Sequence, residues 1–117
     1  MNNKPKYNLF KNTQYALDGL IHAYKTEVSF KLELLISFIV FPAIYLSPFE
    51  LWMKAILIFT YFLIMIIELV NSALENVVDL VTKEIHPLAK SAKDIGATAV
   101  MFTIILHITC WGIFIIA

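Results

Sequence analysis

The sequence predicts an all-α membrane protein, in which an N-terminal amphipathic surface helix precedes three transmembrane helices. The first observation is composition: 60% of the 117 residues are hydrophobic, whereas soluble proteins average roughly 45–50% apolar residues. A soluble domain this small leaves much of its surface in water, so it could not bury so many apolar side chains. The second observation is that these residues gather in three long stretches, at 34–46, 51–67 and 95–117. We therefore expect a single membrane-embedded domain over residues 1–117.

The first expected element is an amphipathic helix over about residues 7–26. Its large apolar residues recur mainly at intervals of three and four, with polar residues between them, as on one face of a helix. Next to a membrane, such a helix lies in the plane of the interface. A flexible tail is the alternative for this segment. The apolar positions are Leu9, Phe10, Leu17, Leu20, Ile21 and Tyr24.

The three apolar stretches are expected to form the membrane helices. A spanning helix needs about 20 mostly apolar residues, and the third stretch meets this length directly. The second also meets it, because Lys54 lies near its end and a lysine side chain can reach the headgroups. The first is long enough only if residues 28–33 continue the same helix. The expected membrane helices cover about 28–47, 50–70 with an extension to about 84, and 93–116.

The distribution of lysines predicts the orientation, because cytoplasmic loops of membrane proteins are enriched in lysine and arginine. The segment before the first span and the loop between the second and third spans hold nearly all of them. Both regions are therefore expected to face the cytoplasm, where ATP is available. The lysines are Lys4, Lys6, Lys11, Lys25 and Lys31 before the first span, and Lys83, Lys90 and Lys93 in the second loop.

Composition and motifs exclude several classes of function. Nine basic residues balance nine acidic ones. The chain therefore lacks the overall positive charge that would indicate a nucleic-acid partner. Cys110 is the only cysteine, which excludes an internal disulfide and a cysteine-based zinc site. The sequence also lacks the phosphate loop G-x-x-x-x-G-K-[ST] and the H-R-D and D-F-G motifs of soluble kinases.

A row of polar residues leads out of the second span. Its members are Glu68, Asn71, Glu75 and Asp79. Their spacing of three, four and four residues places them on one helical face. Carboxylates at membrane depth are costly and usually face a bundle interior or a polar cavity, which favours a functional role. The alternative, strongest for Asp79, is that the helix simply leaves the membrane after Ile67 and turns a solvated face outward.

Further charged residues lie on either side of this row. After the loop signal His86-Pro87 come Lys93 and Asp94, which could contact phosphate or could be an interfacial anchor. Ahead of the first span, Glu27 and Glu33 could complete a metal site or could be ordinary interfacial acids. Together these residues offer carboxylates for a divalent cation, a lysine for phosphate charge and a possible base. Those are the components that phosphoryl transfer needs.

At these residues the chain resembles the prokaryotic integral-membrane diacylglycerol kinases. The resemblance is carried by E-L-V-N-S-A-L-E-N-V-V-D at 68–79 and by H-P-L-A-K-S-A-K-D-I-G at 86–96, with weaker agreement at 15–20 and 27–33. It implies a homotrimer in the bacterial inner membrane, with an amphipathic surface helix and three membrane helices in each subunit. It also implies that the protein transfers the γ-phosphoryl group of ATP to diacylglycerol with the help of Mg²⁺.

The resemblance further implies roles for individual residues. Glu68 would be the general base, Asn71 would help to position the reacting groups, and Glu27 and Glu75 would hold the metal ion. The lipid substrate would lie near Glu33, Glu68 and Ala97. The nucleotide would lie near Tyr15, Glu27, Glu75, Glu84, Ile85, His86, Lys93 and Asp94.

The identity of the acceptor lipid stays open at the level of sequence. Close relatives within the family phosphorylate undecaprenol, and H-P-L-A-K at 86–90 is common among them, whereas N-S-A at 71–73 and K-D-I-G-A at 93–97 favour diacylglycerol. Asn8 and Leu17 also stand where well-known members carry a basic residue and a tryptophan. A small transport subunit or a membrane adaptor is the alternative outside the kinases, although charges clustered at one membrane face favour an interfacial enzyme.

Overall fold

A computed structural model describes residues 6–117, which form four helices without a strand. The predicted all-α architecture is therefore confirmed for this part of the chain, and Lys4 lies outside it. Three of the helices are long and apolar enough to cross a membrane, as predicted. The helices are α1 Leu9–Thr26, α2 Val28–Leu46, α3 Leu51–Val81 and α4 Pro87–Ile116.

Helix α1 is followed almost immediately by α2. Asn8 caps the start of α1, where its side-chain oxygen accepts a hydrogen bond from the backbone N–H of Lys11 at 3.2 Å. Glu27 alone separates α1 from α2, with an extended backbone conformation. Helix α2 then runs unbroken through residues 28–33 and past Pro42, over 19 residues. At 1.5 Å per residue its length is about 28 Å, which is close to the thickness of the hydrocarbon core.

The third helix is longer than a membrane requires, and this length carries the polar row out of the apolar layer. Helix α3 has 31 residues, or about 46 Å of helix, against a hydrocarbon core of about 30 Å. Helix α4 begins at Pro87, ahead of the expected membrane boundary near residue 93. Proline is favourable at the first helical position, and the His86 ring accepts a hydrogen bond from the backbone N–H of Leu88 at 3.1 Å.

The short connections make α2, α3 and α4 antiparallel neighbours, with α3 packed against both of the others and α1 against α2. This arrangement gives the molecule two different ends. The charged end contains α1, residues 27–34, residues 68–86 and residues 87–97. The aromatic end contains residues 40–57 and 107–116.

Most of the large apolar side chains face outward. On α1, Phe10 is 87% exposed and Leu17 is 54% exposed, so the apolar face of this helix does not pack within the chain. The three long helices likewise expose rows of leucine, isoleucine and phenylalanine. Such a surface is stable next to lipid or another apolar surface rather than in water.

Candidate active site

The first part of the polar row on α3 is buried. Glu68 is 7% exposed and Asn71 is 8% exposed, so neither belongs to a solvated outer face. The side-chain amide of Asn71 donates a hydrogen bond to Oε1 of Glu75 at 3.1 Å. The predicted common face is therefore present, and its two innermost members point into the protein.

The start of α2 brings two more carboxylates to Glu68. Because Glu27 is the only residue between α1 and α2, its position is fixed by both helices, and its backbone N–H bonds to the carbonyl of Ala23 at 2.8 Å. The carboxylates of Glu27 and Glu75 both lie within electrostatic reach of the Glu68 carboxylate. The Glu68 carboxylate in turn lies within electrostatic reach of Glu33. Tyr61 on α3 donates a hydrogen bond to the backbone carbonyl of Glu33, which connects this part of α2 to α3. The structure thus gathers four carboxylates from two helices and their junction.

The outer part of the row meets the start of α4. Nζ of Lys93 lies 2.6 Å from Oδ1 of Asp79, and both side chains are about half exposed. The carboxylate of Asp79 therefore has a specific partner, which a simple solvated helix face would not give it. One turn earlier on α4, Lys90 pairs with Asp94 at 2.5 Å, in a more exposed position. Lys93 also lies within electrostatic reach of Glu75, so it connects the outer pair to the buried residues.

A cavity of about 290 Å³ opens where α3 turns into α4. Five residues that the resemblance assigns to the nucleotide line this cavity, although they come from the loop and from one turn of α4. His86 uses its ring Nδ1 to cap α4, so only its Nε2 is available to a ligand. The five residues are Glu84, Ile85, His86, Lys93 and Asp94.

Two of the expected site residues lie away from this cavity. Tyr15 on α1 is 55% exposed, and Ala97 on α4 is also exposed. Neither is among the residues that line this cavity or the larger one between α1 and α3. Tyr15 and Ala97 thus line neither cavity, although Ala97 lies one helical turn after Lys93 and Asp94 on α4.

A larger cavity of about 570 Å³, which was not expected from the sequence, lies between α1 and α3. Glu27 is at its edge, and its lining is mostly apolar, which suits a hydrocarbon group better than a phosphate. The signal that could have found it is a face of small residues on α1 with spacings of three and four. These residues are Ala16, Gly19 and Ala23, and they lie opposite Leu69, Ser72, Ala73 and Asn76 on α3.

The carboxylates would suit a magnesium ion that is held by phosphates as well. Among residues 6–117, no three histidine, cysteine or acidic side chains are close enough to hold a metal by themselves. Mg²⁺ does not need such a cage, because it commonly binds one or two carboxylates together with substrate phosphates and water. Glu75 uses Oε1 to accept a hydrogen bond from Asn71, which leaves its other oxygen, and Glu27 and Glu75 both lie within electrostatic reach of Glu68.

Comparison with known proteins gives one family. The family described as prokaryotic diacylglycerol kinase matches residues 14–115, a range that contains every candidate residue. The chain is 34% identical over 100 residues to a diacylglycerol kinase of Pseudomonas aeruginosa, covering 86% of this chain and 81% of the relative. It is 38% identical over 111 residues to one of Helicobacter pylori, covering 93% and 85%. It is 35% identical over 106 residues to one of Escherichia coli K12, covering 90% and 86%.

Proposed function

The chain belongs to the prokaryotic diacylglycerol kinase family, as its motifs predict, and from that premise we propose that it phosphorylates diacylglycerol. The γ-phosphoryl group of ATP passes to the primary hydroxyl of the lipid, and the product is phosphatidic acid. The observation that supports this most directly is the burial of Glu68, 7% exposed, just after the apolar run of α3. A carboxylate in that position can receive a hydroxyl proton where little water competes.

Glu68 is the general base in this proposal. Its carboxylate takes the proton of the lipid hydroxyl while the hydroxyl oxygen forms a bond to the γ-phosphorus. The bond between that phosphorus and the oxygen that bridges it to the β-phosphate breaks, and ADP leaves. Asn71 lies one turn further along α3, and its hydrogen bond to Glu75 connects the base to the side of the site where nucleotide is proposed to bind.

The nucleotide is proposed to bind beside the cavity at the α3–α4 turn. Lys93 supplies positive charge for the phosphates, because its ammonium group lies at that cavity and within reach of Glu75. Glu27 and Glu75 would hold Mg²⁺, which neutralises phosphate charge when it is bound. The proposal also keeps Tyr15 near the nucleotide and Ala97 near the lipid, in both cases as the family resemblance implies.

The assembly and the orientation are part of the same proposal. Within one chain Tyr15 is exposed and lines neither cavity, and rows of apolar side chains on the long helices are exposed. Both observations are compatible with a homotrimer in which neighbouring subunits complete the site. The three spans would lie in the inner membrane, with the N-terminus and the α3–α4 loop in the cytoplasm.

The test is a phosphoryl-transfer assay on purified protein in lipid vesicles with Mg-ATP. Diacylglycerol and undecaprenol are offered in parallel, because the motif at 86–90 is also common in undecaprenol kinases. Transfer mainly to diacylglycerol is expected. Transfer mainly to undecaprenol would keep the mechanism and change the acceptor, whereas no transfer to either by folded protein would overturn the proposed function.

The role of Glu68 is tested by Glu68→Gln, which keeps the shape of the side chain and removes the base. Loss of general-base catalysis typically lowers the rate by about 100- to 10,000-fold, and we expect a loss in that range with unchanged helix content. Glu50→Gln, at the aromatic end, is the matched control and should keep its activity. Near-normal turnover by Glu68→Gln would exclude Glu68 as the base.

A further inference from the structure

Helices α3 and α4 pack tightly beside Asn71, and this packing depends on a glycine. Gly96 is buried on α4. A Cβ atom at this position would lie 2.1 Å from Oδ1 of Asn71, 3.2 Å from its Cγ and 3.2 Å from Cδ2 of Leu74. The first of these distances is far below van der Waals contact, so any side chain larger than hydrogen must displace the amide of Asn71.

The other glycines show that this restriction is specific to one position. Gly112 lies on the same helix and Gly19 lies on α1, and a Cβ at either would meet nothing within 4 Å. All three glycines have ordinary helical backbone without a positive φ, so conformational freedom does not explain Gly96. Gly96 is explained instead by the space that the Asn71 side chain needs.

The atoms that a Cβ would meet determine what gives way. They are the ends of two side chains and not backbone atoms, so α3 and α4 can stay packed while the amide of Asn71 turns aside. That movement would break the hydrogen bond from Asn71 to Oε1 of Glu75, which is 3.1 Å long. Oδ1 of Asn71 is itself buried without a hydrogen-bond partner among the described residues, so no second bond holds the amide in place.

We propose that Gly96 is a positioning residue, which leaves room for Asn71 and thereby holds Glu75 in the orientation that phosphoryl transfer needs. The inference rests on the proposed function and adds to it a residue that carries no functional group. Gly96 acts only through the space it leaves, two positions after Asp94.

The first experiment compares Gly96→Ala with Gly112→Ala in the diacylglycerol kinase assay. A misplacement of about 1 Å at a reacting centre can cost about 100-fold in rate, and a loss of that size in kcat is expected for Gly96→Ala. The Mg²⁺ concentration for half-maximal activity should also rise severalfold, because Glu75 is displaced. Gly112→Ala should match the unsubstituted protein in both measurements.

The Mg²⁺ titration separates positioning from general damage. A variant that is merely less folded loses active molecules but keeps the half-maximal Mg²⁺ concentration. Gly96→Ala with unchanged kcat, or with reduced kcat and an unshifted Mg²⁺ requirement, would therefore overturn the inference. No transfer by the unsubstituted protein would instead overturn the proposed function, and the inference with it.

A double variant keeps the test decisive if Gly96→Ala folds poorly. Asn71→Ser shortens the side chain that the new Cβ would strike, so Gly96→Ala should lower the unfolding temperature less in the Asn71→Ser background than alone. This comparison does not depend on activity. Equal losses in the two backgrounds would show that the alanine clashes elsewhere, and the inference would fail.

Discussion

The charged end and the aromatic end of the molecule differ in whether their buried polar groups have hydrogen-bond partners. Near the aromatic end, the indole N–H of Trp111 donates to Nε2 of His107 at 3.0 Å, and Nδ1 of His107 lies 2.7 Å from Oγ1 of Thr60. Thr60 then donates to the carbonyl of Leu57 at 3.2 Å. Every polar side chain in this network has a hydrogen-bond partner. Because Nε2 of His107 accepts from Trp111, the hydrogen of the neutral ring is on Nδ1, which donates to Thr60.

The charged end leaves buried acceptors unpaired. Oδ1 of Asn71 and Oε2 of Glu33 are buried, and neither has a hydrogen-bond partner among residues 6–117. Unpaired buried polar atoms are unfavourable and uncommon, and here both belong to the proposed site. The difference teaches that polarity within a membrane helix does not by itself indicate function. A fully paired network stabilises packing, whereas unpaired buried acceptors lower stability.

The hydrophobic packing shows the same contrast. At the aromatic end Ile44 and Leu57 are completely buried, and the ring of Phe114 packs edge-to-face against Trp52 at 5.6 Å. Lys54 donates to the backbone carbonyl of Tyr45 at 2.8 Å, which pairs a carbonyl near the end of α2. The charged end also has a buried apolar cluster, around Phe30, but two cavities open beside its polar residues. We therefore expect substitutions at one end to change activity and substitutions at the other end to change stability.

After that of Glu68→Gln, the largest expected effect is again on activity at the charged end. Glu75→Gln removes a carboxylate proposed to hold Mg²⁺ while keeping a side chain that can still meet Asn71. Changes around a metal site commonly cost about 10- to 100-fold, and a direct ligand should reach the upper value. The measurement is kcat as a function of Mg²⁺ concentration, together with the unfolding temperature. An unchanged Mg²⁺ dependence would show that Glu75 is structural and would weaken the contrast between the ends.

The next effect is on stability at the aromatic end. Leu57→Ala opens a cavity, which costs about 2–5 kcal/mol in soluble cores. We expect the lower value, about 2 kcal/mol, because lipid is as apolar as leucine and only packing is lost. Reversible unfolding in mixed detergent gives the free energy, and kcat of the folded fraction should stay normal. Ile58→Ala, at a neighbouring position that is 40% exposed, is the control and should change little.

How far the sequence predicts the structure depends on whether a feature is local. Hydropathy and the i, i+3, i+7 spacing are local, so the spans and the row from Glu68 to Asp79 could be predicted. The partners of that row could not, because the Asp79–Lys93 pair joins residues 14 apart in the chain and the Thr60–His107 contact joins residues 47 apart. The packing role of Gly96 likewise exists only once α3 and α4 have met.

A smaller effect is expected when the paired network is broken. His107→Phe keeps an aromatic ring in the same place and removes both hydrogen bonds, so the indole N–H of Trp111 loses its acceptor. Hydrogen bonds between membrane helices contribute about 0.6–2 kcal/mol, and a loss of about 1 kcal/mol in unfolding free energy is expected with normal kcat. Ile108→Phe, at an exposed position, is the control. A large fall in kcat for His107→Phe alone would mean that the network takes part in function.

The smallest effect concerns the ion pair at the outer edge of the site. Asp79→Asn removes a negative charge that lies 2.6 Å from Nζ of Lys93, with the two side chains 48% and 40% exposed. Ion pairs this exposed contribute little to stability, so the unfolding temperature should hardly change. Lys93 would then be free for phosphate, and the KM for ATP should fall by up to about fivefold, because an exposed ion pair is weak. A rise in that KM would show instead that Asp79 orients Lys93 towards the nucleotide. In that case the charged end, like the aromatic end, would depend on a paired network.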